Sequence, residues 1–361
     1  MEKQKKIESL QSLRGIFAFL IFLSHALMVN GGNPFSAGGD IGVAFFFVLS
    51  GFVLCQAHEQ KAEAAGAEFS GQIGMPYGRF MLKRVVRIYP LHLLCWLWCV
   101  AIGIRYYRSF DLPIDLANLF LLQSWIPIPE YYYSVNAASW CLSDFIFFYL
   151  LFPVLLTWVV RQGKSFIATL AVLTITWCVA SGFMPDAERP WAVYIWPVSR
   201  LLDFAAGMVL WQLTSRRRSS GSTTETKANL RQFAALLLCL GSFAALPLFD
   251  TDLTQSIFWW PAVLLTVAVF VRTGHTGLLG RLLSWRPFVA FGNVSFGFYL
   301  IHIPVINLSV LFLRRLIPEG GAEFLAAVLA LSLAVSIAGS FLLARYYERP
   351  ISRLILRRPP K

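Results

Sequence analysis

Long apolar segments constrain the fold of this chain more than any other feature. A helix of roughly 20 residues crosses the hydrocarbon core of a bilayer, and the sequence contains ten apolar segments of about that length. Backbone groups in lipid must bond within their own segment, and no alternating β-barrel pattern is evident. Charged residues make up only 14% of the chain, against about 25% in soluble domains. The sequence therefore predicts an all-α, polytopic membrane bundle with spans near residues 12–30, 40–57, 88–104, 138–160, 166–184, 193–213, 232–249, 257–272, 290–313 and 323–345.

Basic residues are distributed unequally between the loops. With a cytoplasmic N-terminus, the loops and tails on that side carry 25 of the 31 Lys and Arg residues, and the opposite side carries 5. This asymmetry is typical of cytoplasmic loops, and an even number of spans places both termini on that side. The net charge of +12 follows from the same bias. It does not indicate nucleic-acid binding, which requires a basic surface on a folded domain.

We treat residues 1–361 as one membrane domain. The N-terminal lysines resemble the start of a signal peptide, but Arg14 interrupts the apolar segment and no cleavage site follows, so we expect an uncleaved first helix. Three connecting segments differ from the spans. They are a charged cytoplasmic loop at 58–79, an extracytoplasmic aromatic loop at 105–137, and a basic, Ser/Thr-rich linker at 214–231 that we expect to be flexible.

The aromatic loop has two explanations. Its Trp and Tyr residues are typical of a belt at the level of the lipid headgroups. Alternatively, the rings form a surface that stacks on an acceptor sugar. The apolar middle of the loop, at 112–123, is compatible with a short interfacial helix.

Two ionisable residues, Arg14 and His25, lie within the first apolar segment. Eleven helical steps return to nearly the same face, and they separate the two side chains by roughly 16 Å along the axis. Ionisable residues within a membrane are costly and usually functional. The alternative is that Arg14 only anchors the cytoplasmic end of the helix and that His25 is a satisfied polar group between helices.

A basic cluster precedes the third apolar helix, in the segment RFMLKRVVRIYPLHLL. It contains Lys83, Arg84 and Arg87, of which the two arginines are three residues apart and share a helix face. Clusters of this kind are common on cytoplasmic sides, so topology alone explains it. The functional explanation is phosphate binding, because the planar fork of arginine matches phosphate oxygens.

Other polar residues interrupt the apolar segments. Asp144 lies early in the fourth span, where it could orient a histidine or pair with an arginine. Arg200 and Asp203 are three apart in the sixth span, and we expect a mainly structural ion pair. His302 lies in the ninth span, with Tyr299 three residues earlier. The six cysteines have no metal-ligand spacing with a histidine, so we expect reduced thiols and no metal site.

The ordered set of motifs resembles the acyltransferase-3 family of integral membrane acyltransferases. The matching segments are Arg14-x10-His25, GVAFFFVLSGFVL at 42–54, Arg84 to Pro90, SWCLSDFIFFYLLFP at 139–153, Arg200 to Gly207, SFGFYLIHIPV at 295–305, and Tyr347 to Pro350. Each segment is degenerate alone, whereas their order over nearly the whole chain is specific. We expect the compact type, without a fused hydrolase-like domain.

The resemblance implies transfer of an acyl group, usually acetyl, from cytoplasmic acyl-CoA to a hydroxyl at the outer face. It implies that His25 is the catalytic histidine, and that Arg14 supports either this histidine or the donor. It also implies that Arg84 and Arg87 contact the donor, and we add Lys83 to this group. A histidine roughly 16 Å from the basic end suits the acyl end of an extended donor. Its neutral imidazole suits a general base, with a transient acyl-histidine as the open variant.

Many members of the family have a glutamate where this chain has Phe145, with Asp144 one residue earlier. One helical step turns a side chain by roughly 100°, so the role of Asp144 depends on the direction that it faces. The residues that we assign to substrate binding are Tyr299, His302, Trp140 and Ser50. The sequence leaves open which group stabilises the oxyanion.

Two other classes of function remain. Intramembrane Arg, Asp and His also mark the pathways of a transporter or flippase, although no internal repeat is evident. A scaffold or sensor would tolerate replacement of the first-helix histidine. For the enzyme, the expected partners are an acyl-CoA donor, a saccharide or glycolipid acceptor, the lipid bilayer of the bacterial inner membrane, and polysaccharide assembly machinery.

Overall fold

The computed structural model describes residues 7–32, 35–106, 110–215, 224–248 and 255–356. These residues are mostly helical, and no strand occurs among them. The α-helices are, in chain order, α1 (Glu8–Ala26), α2 (Ser36–Ala64), α3 (Tyr77–Tyr106), α4 (Leu112–Leu119), α5 (Pro129–Tyr132), α6 (Trp140–Arg161), α7 (Gly163–Ser181), α8 (Pro197–Ser215), α9 (Glu225–Ala245), α10 (Gln255–Thr273), α11 (Leu278–Leu283), α12 (Arg286–Asn293), α13 (Ser295–Leu313), α14 (Ala322–Leu343) and α15 (Arg349–Leu356).

Ten segments built on the long helices are apolar enough to cross a membrane, and this confirms the predicted class and number of spans. They are formed by α1, α2, α3, α6, α7, α8, α9, α10, α13 and α14, some of them extended by an adjoining helical turn. The short helices α4, α5, α11, α12 and α15 connect or extend them. Each of the five is far too short to cross a bilayer by itself, and α15 continues the last span.

Two helices extend further than hydropathy predicted. α2 continues to Ala64 and α3 begins at Tyr77, so the predicted loop at 58–79 is reduced to 65–76. Hydropathy marks only the part of a helix that lies in lipid, whereas backbone hydrogen bonds continue into the polar region. The basic cluster of α3 is therefore held on a rigid helix rather than on a loop.

The predicted linker at 214–231 is also shorter than expected. α8 ends at Ser215 and α9 begins at Glu225, so both flanks of the linker are helical. Residues 216–223, for which we expect flexibility, lie outside the described residues.

α2 lies at the centre of the bundle and packs against α1, α8 and α10. Most of its apolar segment is buried, whereas α7, α9 and α14 leave most of theirs exposed. α2 and α8 are so close that their backbones touch, because a Cβ at Gly51 would lie 2.0 Å from the carbonyl oxygen of Phe204. A Cβ at Gly207 would lie 1.9 Å from the carbonyl oxygen of Val48. Small residues permit this approach.

The segment between α3 and α6 folds back into the bundle. The amide of Asn118 donates to the carbonyl oxygen of Ser134 at 2.9 Å, and it lies 3.1 Å from the hydroxyl of Ser139. Further along, the amide of Asn136 donates to the carbonyl oxygen of Leu300 on α13 at 2.8 Å. We call residues 110–139 the cap. They include most of the predicted extracytoplasmic aromatic loop, and they form a packed element that is hydrogen-bonded to α13. A buried polar network provides the hydrogen bonds that lipid lacks.

Candidate active site

α1 carries the two ionisable residues on which the prediction rests. Arg14 faces a cavity between α1, α2 and α3, whereas His25 lies in the last turn of α1 and contacts α13. We call the end of the bundle at which α1 begins the basic end. The two side chains therefore occupy different depths of the bundle, as the helical spacing predicted.

The cavity at the basic end has a volume of about 330 Å³ and contains three arginines. Arg14 comes from α1, and Arg84 and Arg87 come from α3. Its other polar walls include Ser50 and Tyr149, and no carboxylate lines it among the described residues. We call this space the arginine cavity. Glu348 interacts with Arg87 from outside these walls. Several guanidinium groups around one space favour a polyanionic ligand.

A narrower space of about 100 Å³ adjoins the arginine cavity and has Arg14, Ser50 and Tyr149 in its walls as well. It continues to Ile21 and Tyr299, each within a helical turn of a site histidine. We call it the passage. Apart from its arginine end, its lining is largely apolar, with several phenylalanines. This composition suits an uncharged chain more than a charged head group.

Two histidines meet beyond the passage. Nε2 of His302 lies 3.1 Å from Nδ1 of His25, although the residues are 277 positions apart in the chain. Nδ1 of His25 also lies 2.9 Å from the carbonyl oxygen of Ile21, one turn earlier on α1. Nδ1 of His302 similarly faces the carbonyl oxygen of Tyr299 on α13. Each ring is therefore oriented by its own helix and by the other ring.

The two histidines differ in exposure. His302 is fully buried, and aromatic rings surround it, with centroids at 6.4 Å for Phe22, 6.4 Å for Phe298 and 5.7 Å for Tyr299. His25 is only partly buried. An incoming reactant can therefore reach His25 more readily than its partner.

The other predicted substrate-binding residues lie in different places. The hydroxyl of Tyr299 donates to the carbonyl oxygen of Ala138 at 2.7 Å, so its proton is already engaged. Ser50 lines both the passage and the arginine cavity, close to Arg14 rather than to the histidines. Trp140 packs against Phe47 and Tyr194 and is buried. Of the four residues predicted to bind substrate, Tyr299 lies beside His302 and lines the passage together with Ser50, whereas Trp140 does not line it.

Arg200 and Asp203 form the expected ion pair, with Nη2 and Oδ2 3.2 Å apart and both side chains fully buried. The guanidinium also lies over the ring of Phe47, 4.9 Å from its centroid. Trp260 donates to the other carboxylate oxygen of Asp203 at 2.5 Å. The tight packing on all sides supports a structural role.

Asp144 belongs to the same buried cluster. Its interacting charged groups are Arg200 and Asp203, and the structure does not bring it to the histidine pair. Phe145, one residue later, lines the passage instead. The single helical step between the two residues thus directs the carboxylate away from the passage, so the predicted catalytic role of Asp144 is not supported by its position.

Lys83 lies outside the arginine cavity, although Arg84 is among the charged groups that act on it. Its other charged neighbours include Arg79 and Lys61. Sequence reasoning also missed Tyr149, a residue of α6 that interacts with Arg14 and with both α3 arginines. Its ring centroid lies 5.8 Å from the guanidinium carbon of Arg84. The sequence feature that could have identified Tyr149 is its hydroxyl group, which stands alone within the apolar motif FFYLLFP.

A separate cleft of about 470 Å³ opens beside the cap, away from the basic end. Polar groups in its walls include Asp111, Glu130 and Tyr133, and α13 contributes Asn307. Partial removal from water, with the nearby phenol of Tyr132, raises the pKa of Tyr133 to about 12, so its hydroxyl stays neutral at physiological pH. The cleft thus presents polar groups and the ring of Tyr133 next to α13, the helix that carries His302.

Comparison with known protein families gives a match over most of the chain. A family model of the acyltransferase-3 type, described as an acyltransferase domain, matches residues 7–345. The chain is also 29% identical to "Acyltransferase MdmB" of Streptomyces mycarofaciens, over 98% of this chain and 94% of that protein.

Two further relatives are named for action on peptidoglycan. The chain is 25% identical to "Putative peptidoglycan O-acetyltransferase YrhL" of Bacillus subtilis, over 85% of this chain and 50% of that protein. It is 23% identical to "Peptidoglycan O-acetyltransferase OatA" of Listeria monocytogenes, over 97% of this chain and 56% of that protein. The chain thus spans about half the length of these two relatives. No solved structure matches it.

Proposed function

This chain belongs to the acyltransferase-3 family, and we propose that it transfers an acetyl group from cytoplasmic acetyl-CoA to a hydroxyl group of an envelope saccharide or lipid-linked saccharide. That it is an acyltransferase with a multi-pass membrane domain follows from the family and from its ten apolar helices. The donor, the roles of the residues and the acceptor are the proposed part. The observation that carries this proposal is that the arginine cavity adjoins the passage, whose walls reach Ile21 and Tyr299, each about one helical turn from one of the paired histidines.

The arginine cavity supports a phosphate-bearing donor. Three guanidinium groups face one space whose described walls contain no carboxylate, and arginine binds phosphate oxygens with two parallel hydrogen bonds. Charge-assisted hydrogen bonds contribute about 1.5–3 kcal/mol each. In the proposal, Arg14, Arg84 and Arg87 hold the phosphates of CoA, and the uncharged arm of the donor extends through the passage.

The proposed chemistry takes place at His25. Its Nε2 removes the proton from the acceptor hydroxyl as that oxygen attacks the thioester carbonyl of the donor. The C–S bond then breaks, and the departing sulfur of CoA takes the proton from the imidazolium. His25 returns to its neutral form, and the acyl group has moved from sulfur to oxygen.

Two of the residues predicted to bind substrate have ring or hydroxyl groups that already make other hydrogen bonds, so they are poorly placed to stabilise the oxyanion. The hydroxyl of Tyr299 donates to Ala138, and Nδ1 of His302 faces a backbone carbonyl. Ser50 lies near Arg14 rather than near the histidines. In the proposal, stabilisation of the oxyanion therefore falls to a group other than these three.

The acceptor site is proposed to lie on the side of the cap. The ring of Tyr133 suits the apolar face of a sugar, and the carboxylates of Asp111 and Glu130 suit its hydroxyl groups. The relatives named for peptidoglycan O-acetylation support a saccharide. In the proposal, the basic end faces the cytoplasm of a bacterium and both termini lie on that side of the inner membrane, which agrees with the excess of Lys and Arg in the loops on that side. Polysaccharide assembly machinery is then the expected source of the acceptor.

The test compares cells that lack the gene with cells complemented by the wild type, His25→Ala or His275→Ala. His275 is an exposed histidine outside the site and serves as the matched control. O-acetyl esters on purified peptidoglycan and surface polysaccharide are quantified, and CoA release from acetyl-CoA is followed in isolated membranes. We expect the wild type and His275→Ala to restore both, and His25→Ala to restore neither while being inserted in the membrane at normal levels. Normal esters and CoA release with His25→Ala would overturn the proposed role of this histidine.

A further inference from the structure

The proton positions in the histidine pair follow from its hydrogen-bond partners. A carbonyl oxygen only accepts, so the ring nitrogen that faces it must carry a proton. Nδ1 of His25 faces the carbonyl of Ile21, and Nδ1 of His302 faces the carbonyl of Tyr299. Both rings therefore carry their proton on Nδ1.

The contact between the rings then has one direction. A neutral imidazole with a proton on Nδ1 has a bare lone pair on Nε2. Nε2 of His302 lies 3.1 Å from Nδ1 of His25, so His302 accepts and His25 donates, with its proton shared between His302 and the carbonyl of Ile21. The reverse direction would place a lone pair of each Nδ1 against a carbonyl oxygen, which is repulsive.

We propose that His302 is a positioning residue for His25: it accepts the Nδ1 proton of His25, and it thereby leaves Nε2 of His25 bare and aimed at the reacting groups. This inference rests on the proposed function, and it changes the predicted substrate-binding role of His302. His302 thus supports His25 in place of Asp144, whose carboxylate interacts with Arg200 instead. A neutral imidazole, itself held by the backbone of α13, takes the place that a carboxylate occupies in many catalytic histidine pairs.

The two histidines have different roles in this pair, because their rings differ in exposure. His302 is fully buried within the rings of Phe22, Phe298 and Tyr299, so it has no route to a substrate. His25 is partly exposed and has its Nε2 free of the contacts between the two rings. When His25 gains a proton at Nε2, the bond from its Nδ1 to His302 becomes a charge-assisted one and strengthens, and this favours proton removal from the acceptor.

A matched pair of amide variants tests the inference. In His302→Gln the amide oxygen stands where Nε2 stood, so an acceptor for His25 is kept. In His302→Asn the shorter amide reaches the position of Nδ1, so it bonds the Tyr299 carbonyl but falls short of His25. Loss of one hydrogen bond to a charged group corresponds to roughly a 10- to 100-fold loss of kcat. We expect this loss for His302→Asn and a loss of under about 10-fold for His302→Gln, with KM for acetyl-CoA unchanged in both.

A purely structural role for His302 would lower kcat equally in both variants, and that result would overturn the inference. A full rate for His302→Asn, with His25→Ala inactive, would overturn it while leaving the proposed function in place. An active His25→Ala variant would instead overturn the proposed function. The three results are distinguishable within one set of kinetic measurements.

The proton positions can also be measured directly in the wild-type protein. ¹⁵N NMR of histidine-labelled protein separates protonated from bare ring nitrogens, and the chain contains only 5 histidines. Spectra of His25→Ala and His302→Gln assign the two signals. We expect Nδ1 protonated and Nε2 bare in both residues at neutral pH. A proton on Nε2 of His302 would make it the donor and would overturn the inference.

Discussion

The contact between α2 and α8 leads to a quantitative prediction for Gly207→Ala. The added Cβ would lie 1.9 Å from the carbonyl oxygen of Val48, whereas ordinary contacts begin at 3.4 Å. The facing atoms belong to backbone, and a backbone in the centre of the bundle cannot move aside as a flexible side chain does. The two helices must therefore separate by about 1.5 Å locally, and close-packed neighbours lose contacts as they do.

Overpacking of this kind costs typically 1–3 kcal/mol, and contact with backbone places Gly207→Ala near the upper value. Replacing Gly by Ala within a helix offsets about 1 kcal/mol of this cost, because alanine has the higher helix propensity. The net expectation is a loss of about 2 kcal/mol in the free energy of unfolding. Gly241 in α9 provides the matched control, since a Cβ there meets nothing within 4 Å. Gly241→Ala should stabilise the protein by up to about 1 kcal/mol.

The assay is the unfolding of purified protein in detergent, followed by intrinsic fluorescence against temperature or denaturant, for the wild type and both variants. We expect the midpoint to fall for Gly207→Ala and to stay level or rise for Gly241→Ala. Acyl transfer in membranes should also fall for Gly207→Ala, since α2 forms a wall of the passage. Equal shifts for the two variants would refute the argument that backbone contact between α2 and α8 determines the cost.

Three further predictions concern the site and its supports. Arg84→Gln should raise KM for acetyl-CoA roughly 10-fold through loss of a charge-assisted hydrogen bond, whereas Lys83→Gln should leave KM nearly unchanged. Steady-state kinetics measures both values, and an equal rise in KM for the two variants would contradict donor binding in the arginine cavity. Arg200→Leu should cost about 3–5 kcal/mol because it leaves buried carboxylates without a cation, and a normal yield of monodisperse protein would count against that ion-pair cluster. Asn118→Ala should cost about 1–3 kcal/mol and increase hydrogen exchange in the cap, while unchanged protection there would show that its bonds do not hold this segment.

The fold class and the face shared by Arg14 and His25 could be predicted because both depend on local properties. Apolar length identifies a membrane span whatever surrounds it, and the helical repeat relates two positions on one helix without reference to any other. Helix ends were less predictable. Hydropathy shows where a helix leaves the lipid rather than where its hydrogen bonds stop, so α2 and α3 proved longer than their apolar segments.

The partners of each polar side chain were decided by tertiary structure alone. Asp144 and Phe145 are adjacent in sequence, yet one meets Arg200 and the other lines the passage. The sequence identified both His25 and His302 as unusual, but nothing in the sequence brings together residues 277 positions apart. A residue's own helix determines its face, whereas the rotation and packing of all the helices determine what that face meets. For this protein, the sequence by itself thus determined the membrane bundle and the candidate groups, and only the packing of α1 against α13 made two of those groups a hydrogen-bonded pair.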